Sequence, residues 1–539
     1  MIRIFVVVLA AVAVAAPAVA QHEHPPAAST EKVGTVEFQT SCAPAVRADF
    51  NHAVALLHSF EFRRAAEGFT QVLERDSSCA IAYWGIALCQ WGNPFAGLKT
   101  GAPLERGHAA AQKGLTTGSP TPRERAYVAA VAELYKDYAT VSHRDRTLAY
   151  EKAMDRLHTD FRDDLEGRIF YALAVSQVAL ATDKTYANQL KAGAILEPLF
   201  AQYPEHPGLA HYIIHAYDAP ALAPKALDAA RRYAAIAPSA PHALHMPSHT
   251  FTRVGSWKES IATNIASERT SLEQNVPGEA LHAMDYQTYA YLQTAADTKA
   301  FALMQRAPGV LAKLDVNAMG GAAPPVAGFF AAAAIPARYA LERGMWKEAA
   351  ALQVNPSPFP HVDAITHFAR AIGAARSGTP AAAGPDVERL AALREKLVEM
   401  KDAYWAEQVD IQRRVATGWI AFAEGRRDEG ITILRAAADA EDATDKAAVT
   451  PGPLAPAREL LGDMLLEAGA AADALAAYEA TMIKEPGRFR SAYGAARAAD
   501  AAGNRTTARR HYQRLLEIAG SGERTRPELE RARAFVKQS

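Results

Sequence analysis

Apolar residues recur along this chain at helical spacing. Phe50, Ala53, Leu57 and Phe60 mark the face of one helix, Ala65 and Phe69 begin its partner, and the run from Ala80 to Ala87 opens the next unit. Phe50 to Trp84 and Ala53 to Ala87 are each 34 residues apart, and the interval returns from Leu461 to Ala495, Gly469 to Gly503, Ala474 to Ala508 and Tyr478 to Tyr512. Two amphipathic segments per unit at a fixed period predict stacked helix-turn-helix repeats, each burying its face against the next. Further helices are expected over 126–138, 144–158 and 166–180, with breaks at Gly92-Asn93-Pro94 and near Gly118-Ser119-Pro120. Thr121-Pro122-Arg123-Glu124 reads as an N-cap with proline in the first turn. Abundant alanine and few β-branched runs favour helix throughout.

Histidines fall into the same register. His211 and His215 are four residues apart, as are His245 and His249, and the two pairs are separated by 34. Such a pair shares one helix face and can clasp one metal ion. If repeats open at Pro207 and Pro241, the four histidines occupy the fifth and ninth positions of their units. Packing positions are filled separately by Ala210, Ile213, Ile214 and Tyr217. Packed helices stand roughly 8–10 Å apart and a zinc–nitrogen bond measures about 2.0–2.1 Å, so four imidazoles are expected to converge on one point. Ala280-Leu281-His282 repeats Ala243-Leu244-His245, which makes His282 an extra or alternative ligand.

Metal-bound imidazoles need carboxylate, carbonyl or similar partners. Asp218, His242, Arg253, Asp285, Tyr286 and Arg338 are the expected ligand-orienting or substrate-orienting groups. Three imidazoles and an open position would make a catalytic zinc or a redox copper or iron centre, whereas four closed ligands would make a structural or storage site. Nitrogen ligands alone do not choose among zinc, copper and iron. The other functional class is a non-enzymatic scaffold of the cell envelope that binds a peptide or partner protein, with the histidines as hydrogen-bonding groups.

Pro247, about two turns into its helix, is expected to kink it and re-aim His249. Further on, Ile335-Pro336-Ala337-Arg338 and Gly344-Met345-Trp346 echo Met246-Pro247-Ser248-His249 and Gly255-Ser256-Trp257, with Arg338 in the place of His249. The repeat therefore does not demand histidine there. His52 and His58 lack such pairing and are read as structural or solvent-facing, and His22-Glu23-His24 as incidental.

Composition narrows the setting. Residues 1–20 read as a signal peptide, with a basic start, an apolar core and Ala18-Val19-Ala20 before Gln21, so the chain is expected to be secreted or periplasmic. No later apolar run suits a membrane span. In an oxidising compartment Cys42 and Cys79 are expected to pair, leaving Cys89 as a buried thiol. Lys and Arg total 58 against 59 Asp and Glu, which gives no electrostatic case for nucleic acid or an anionic membrane. A Gly-rich phosphate loop, a GxSxG elbow, HExxH and paired CxxC are all missing from the sequence.

At Tyr83-Trp84-Gly85, His242-Ala243-Leu244-His245-Met246-Pro247-Ser248-His249 and Val449-Thr450-Pro451-Gly452-Pro453 the chain resembles a group of bacterial exported tetratricopeptide-repeat (TPR) proteins. The resemblance covers nearly the whole mature chain. It implies an all-α, TPR-like superhelical solenoid whose first helices line a concave groove where a peptide or protein partner binds. On this reading residues 21–45 are a flexible lead, 46–300 an array carrying the histidines, 301–385 middle helices and 386–539 a C-terminal array. The stretch 377–385 is expected to be a flexible connection, and the insertion within 440–456 to cover the groove.

Overall fold

The computed structural model describes residues 31–538 apart from Leu98, Thr100, 317–320, 521–522 and 524. The signal-peptide stretch and His22-Glu23-His24 lie outside the described residues. All regular structure among the described residues is helical. Each helix packs on its neighbour in sequence, and first helices of successive pairs also touch: Leu165–Gln177 meets Pro207–Ala216, Pro277–Gln293 meets Pro325–Glu342, and Ala457–Glu467 meets Phe489–Ala501. That pattern of adjacent and next-but-one contacts is a TPR-like helical solenoid.

Local chemistry fixes where the helices begin. Pro207, Pro241 and Pro277 each occupy the first turn of a helix, where a missing N–H costs no intrahelical bond. Thr121 accepts the Glu124 N–H at 3.2 Å, the cap expected from its sequence. Close crossings need small residues: Tyr478 wedges between two helices at Gly462 and Gly494, and a Cβ on Gly494 would sit 2.3 Å from its ring.

The expected interruption at Pro247 is present. One helix spans Pro241–His245 and the next Pro247–Arg253, while the Met246 N–H still donates to the His242 carbonyl at 2.9 Å. Cys42 and Cys79 form the expected disulfide, with Cα atoms 4.8 Å apart. Cys89 is buried, and burial pushes its thiol pKa up.

Two stretches expected to be flexible are ordered. Residues 31–43 run extended along the N-terminal helices, and Phe38 packs on Phe50, Trp84 and Tyr127 because its ring fills a gap between three aromatic residues. Across 377–385 the chain makes a short turn at Pro380–Ala383 and starts a helix at Gly384.

The architecture also closes on itself. Every residue of the Pro277–Gln293 helix from Gly278 onward is buried, so the helix stands as an inner column. The C-terminal array folds back onto it: the Phe489 N–H donates to Gln293 and Arg488 Nη1 to the Tyr289 hydroxyl, both at 2.9 Å. The histidine face therefore looks inward onto packed protein and not onto an open groove.

Candidate metal centre

Four short helical segments deliver six imidazoles to one place. His211 and His215 come from Pro207–Ala216, His242 and His245 from Pro241–His245, His249 from Pro247–Arg253 and His282 from Pro277–Gln293. Consecutive ring centroids lie close together: 5.0 Å for His211–His242, 6.1 Å for His242–His245, 5.1 Å for His245–His249 and 4.3 Å for His245–His282. His211, His245 and His249 are at most 1% exposed, His242 and His282 are buried, and His215 is half-buried.

The six divide differently from the expected foursome. The ligand nitrogens of His211, His215 and His242 lie within 4.8 Å of one another, and those of His245, His249 and His282 form a second such set. Each i,i+4 pair is completed by a third ring: His242 joins His211 and His215, and His282 joins His245 and His249. His242, expected to orient a ligand, is itself a member of the first set. It lies one turn before His245 and turns back toward His211.

Hydrogen bonds define which nitrogens face inward. The Nδ1–H of His211 donates to the His58 carbonyl at 2.6 Å, that of His245 to Asn264 Oδ1 at 2.7 Å, and that of His249 to Asp218 Oδ2 at 2.9 Å. Asn264 is oriented by its own amide, which donates to the Ser260 carbonyl at 2.7 Å. With acceptors on the outer side, the proton sits on Nδ1 and the Nε2 lone pair points into the cluster. Nε2 of His245 and Nε2 of His249 consequently face each other at 3.1 Å. Two nitrogens on a tetrahedral zinc-like ion would be separated by roughly 3.3 Å, given bonds of about 2.0–2.1 Å. His211 Nε2, His215 Nε2, His282 Nδ1 and both ring nitrogens of His242 have no hydrogen-bond partner among the described residues.

Burial sets the charge state. It lowers the pKa of His211, His215, His245 and His282 well below 6.5, reinforced by neighbouring imidazoles. His249 falls to about 4, again through burial, with Asp218 opposing. Neutral imidazole is the metal-binding form. Burial alone would raise Asp218, but Lys446, Arg253 and the His249 N–H hold it well below the usual carboxylate range.

Arg253 Nε donates to Asp218 Oδ1 at 2.9 Å, and the other oxygen of that carboxylate accepts from His249. Tyr286 lies against His245, with ring centroids 4.7 Å apart. Asp285 and Arg338 do not touch the histidines. Arg338 Nε donates to Asp285 at 2.8 Å, and its guanidinium reaches Thr450 Oγ1 and the carbonyls of Gly452 and Pro453. The correction follows from the repeat: Arg338 stands where His249 stands in the earlier unit, and from there it meets the inserted loop.

That loop covers the site, as expected. Tyr286 donates its hydroxyl toward the carbonyls of Ala448 and Thr450, and Lys446 Nζ lies 3.4 Å from Asp218. The loop also walls a cavity lined by Phe330, Phe368, Tyr404, Trp405 and Glu485. Phe60 packs on His211 at 4.3 Å and Phe95 stacks on His215 at 4.3 Å, completing a hydrophobic wall.

Several participants carry no local signal in the sequence. Asn264 and Lys446 reach the site only through the fold. His58 is buried, with Nε2 2.8 Å from Glu166, whose other oxygen accepts the His206 Nε2–H at 2.9 Å. The two imidazoles hold Glu166 far below the usual carboxylate range against the effect of burial. The Nε2 atoms of both rings are hydrogen-bonded to Glu166, while His206 Nδ1 has no hydrogen-bond partner among the described residues, and the trio places the His58 carbonyl at His211. Cys42 and Cys79 also lie near Asp76, but their sulfurs are spent in the disulfide.

No protein-family model matches the chain, and no curated protein matches it in sequence. Solved structures with similar helical arrays include the APC/C hetero-tetramer Cut9-Hcn1, with TM-score 0.33 and 12% identity over 92% of this chain and 89% of that one. They also include the human IFIT1 dimer with m7Gppp-AAAA, with TM-score 0.38 and 12% identity over 82% of this chain and 90% of that one. At this distance the fold assignment rests on the helix stacking itself. No helix of the described residues is long and apolar enough to cross a membrane.

Proposed function

We propose that this is an exported TPR-type protein whose buried histidine core holds a transition metal, with zinc, copper and iron as the candidate ions. One observation carries the reading: the facing Nε2 atoms of His245 and His249, 3.1 Å apart, with both Nδ1 protons engaged on the outer side. Two lone pairs at that distance repel unless a proton or a cation lies between them. Burial disfavours the proton. An all-imidazole donor set suits copper, zinc or iron and not calcium or magnesium.

Three imidazoles per set leave coordination positions for a substrate, which supports a metalloenzyme. The alternative, a scaffold presenting these histidines to a peptide, is disfavoured by their burial under the 443–456 loop. Export is supported by the N-terminal sequence and by the Cys42–Cys79 bridge. Elemental analysis of purified protein tests the reading. The wild type is expected to carry stoichiometric metal and a folded His245→Ala/His249→Ala variant to lose it; a wild type that stays metal-free in the presence of all three ions would refute it.

A further inference from the structure

We infer that the histidine core is a two-ion centre, with one transition-metal ion held by His211, His215 and His242 and a second by His245, His249 and His282. The inference rests on the metal-binding reading above and specifies how that site is loaded.

Ligand atoms on a single ion lie within about 4.2 Å of one another, twice the bond length. Each set of three gathers its nitrogens inside 4.8 Å, a small adjustment from that limit. The two sets share no histidine, and each is complete within that distance. An ion held by one set leaves the three imidazoles of the other without an ion.

The set left out could not stay idle at no cost. His211 Nε2 and both nitrogens of His242 are buried and make no hydrogen bond among the described residues. Groups in that state persist when something binds them. His211 is already arranged as a ligand, because its Nδ1–H is spent on the His58 carbonyl.

Each set also has its own carboxylate, Asp218 partly buried and Glu279 buried. Asp218 backs His249 in the second set at 2.9 Å. Glu279 lies 3.7 Å from His242 Nδ1 in the first, and that oxygen, Oε2, has no hydrogen-bond partner of its own among the described residues. An ion on His242 Nε2 would place the proton on Nδ1, facing Glu279. A histidine–carboxylate pair thus accompanies each set, with Pro241–His245 supplying a histidine to both and Pro277–Gln293 carrying Glu279 and His282. All six donors are imidazole, so the ions belong to the zinc, copper and iron class.

Native mass spectrometry of the mature protein titrated with Zn2+ counts the ions. A His22→Ala/His24→Ala background keeps the terminal histidine run from adding one. The expected result is two zinc ions per chain, falling to one in His211→Ala/His242→Ala and to one in His245→Ala/His249→Ala. A single ion in the parent, lost in both variants, overturns the two-ion centre and leaves the metal-binding reading standing; no ion in the parent overturns both. Should either variant fail to fold, X-ray absorption of Cu2+-loaded parent decides: two equivalents in an imidazole environment support the inference, and saturation at one equivalent overturns it.

Discussion

Asp218 accepts the Nδ1–H of His249 at 2.9 Å while Arg253 and Lys446 hold the same carboxylate in place. The aspartate fixes the tautomer that leaves His249 Nε2 free, and its charge strengthens that nitrogen as a donor. Asp218→Asn keeps the size and removes the charge. Metal affinity, read by competition with a chromophoric chelator, is expected to fall roughly 10- to 100-fold. Unchanged affinity would mean that His249 is not a ligand.

Arg338 and Asp285 form a fully buried ion pair that ties the inner column to the 443–456 loop. Removing one partner strands the other charge away from water. Arg338→Ala is expected to cost about 3–5 kcal/mol in chemical denaturation and to speed proteolysis within the loop. A variant as stable and as resistant as the wild type would show that the loop is held by other contacts.

Acid should destabilise the metal-free protein in a defined window. The buried histidines have folded-state pKa values below 6.5, that of His249 at about 4, while the unfolded chain titrates near 6.5. Below 6.5 the unfolded state takes up protons that the folded state refuses, so stability is complete above that pH and drains away toward pH 4. For His249 alone the loss amounts to about 3 kcal/mol. Denaturation curves of metal-free protein between pH 7 and 4.5 check this, and a flat profile would contradict the burial of neutral imidazoles.

The Cys42–Cys79 bridge closes a loop across a sequence separation of 37 and pins the extended N-terminal strap near the second helical pair. Cys42→Ser/Cys79→Ser, or reduction, is expected to cost about 4 kcal/mol on a chain-entropy account. Equal stability of oxidised and reduced protein in a denaturant titration would remove the bridge from the account of the fold.

Much of this was legible before the fold was known, because periodicity reports on helix packing. The 34-residue interval places Pro207 and Pro241 at helix starts, and that register sets His211, His215, His245 and His249 on facing turns. What the interval does not carry is the exact meeting of rings across helices. The division into two threes depends on His242 turning back, which does not follow from spacing, and on His282, which the repeated Ala-Leu-His element marks as a ligand without showing which set it joins. Asn264, Lys446 and Glu279 become partners only because distant segments converge. Arg338 shows the opposite case: it is recognisable as the counterpart of His249, yet its task at the loop appears only once the insertion is in place.

Extended X-ray absorption at the metal edge of protein purified after zinc, copper or iron loading tests the central claim most directly. The account predicts imidazole nitrogens at about 2.0–2.1 Å for zinc, with a solvent oxygen in any open position and imidazole multiple scattering that is lost when His245 and His249 are replaced. A sulfur shell, a shell without imidazole scattering, or no retained metal in folded protein would contradict it.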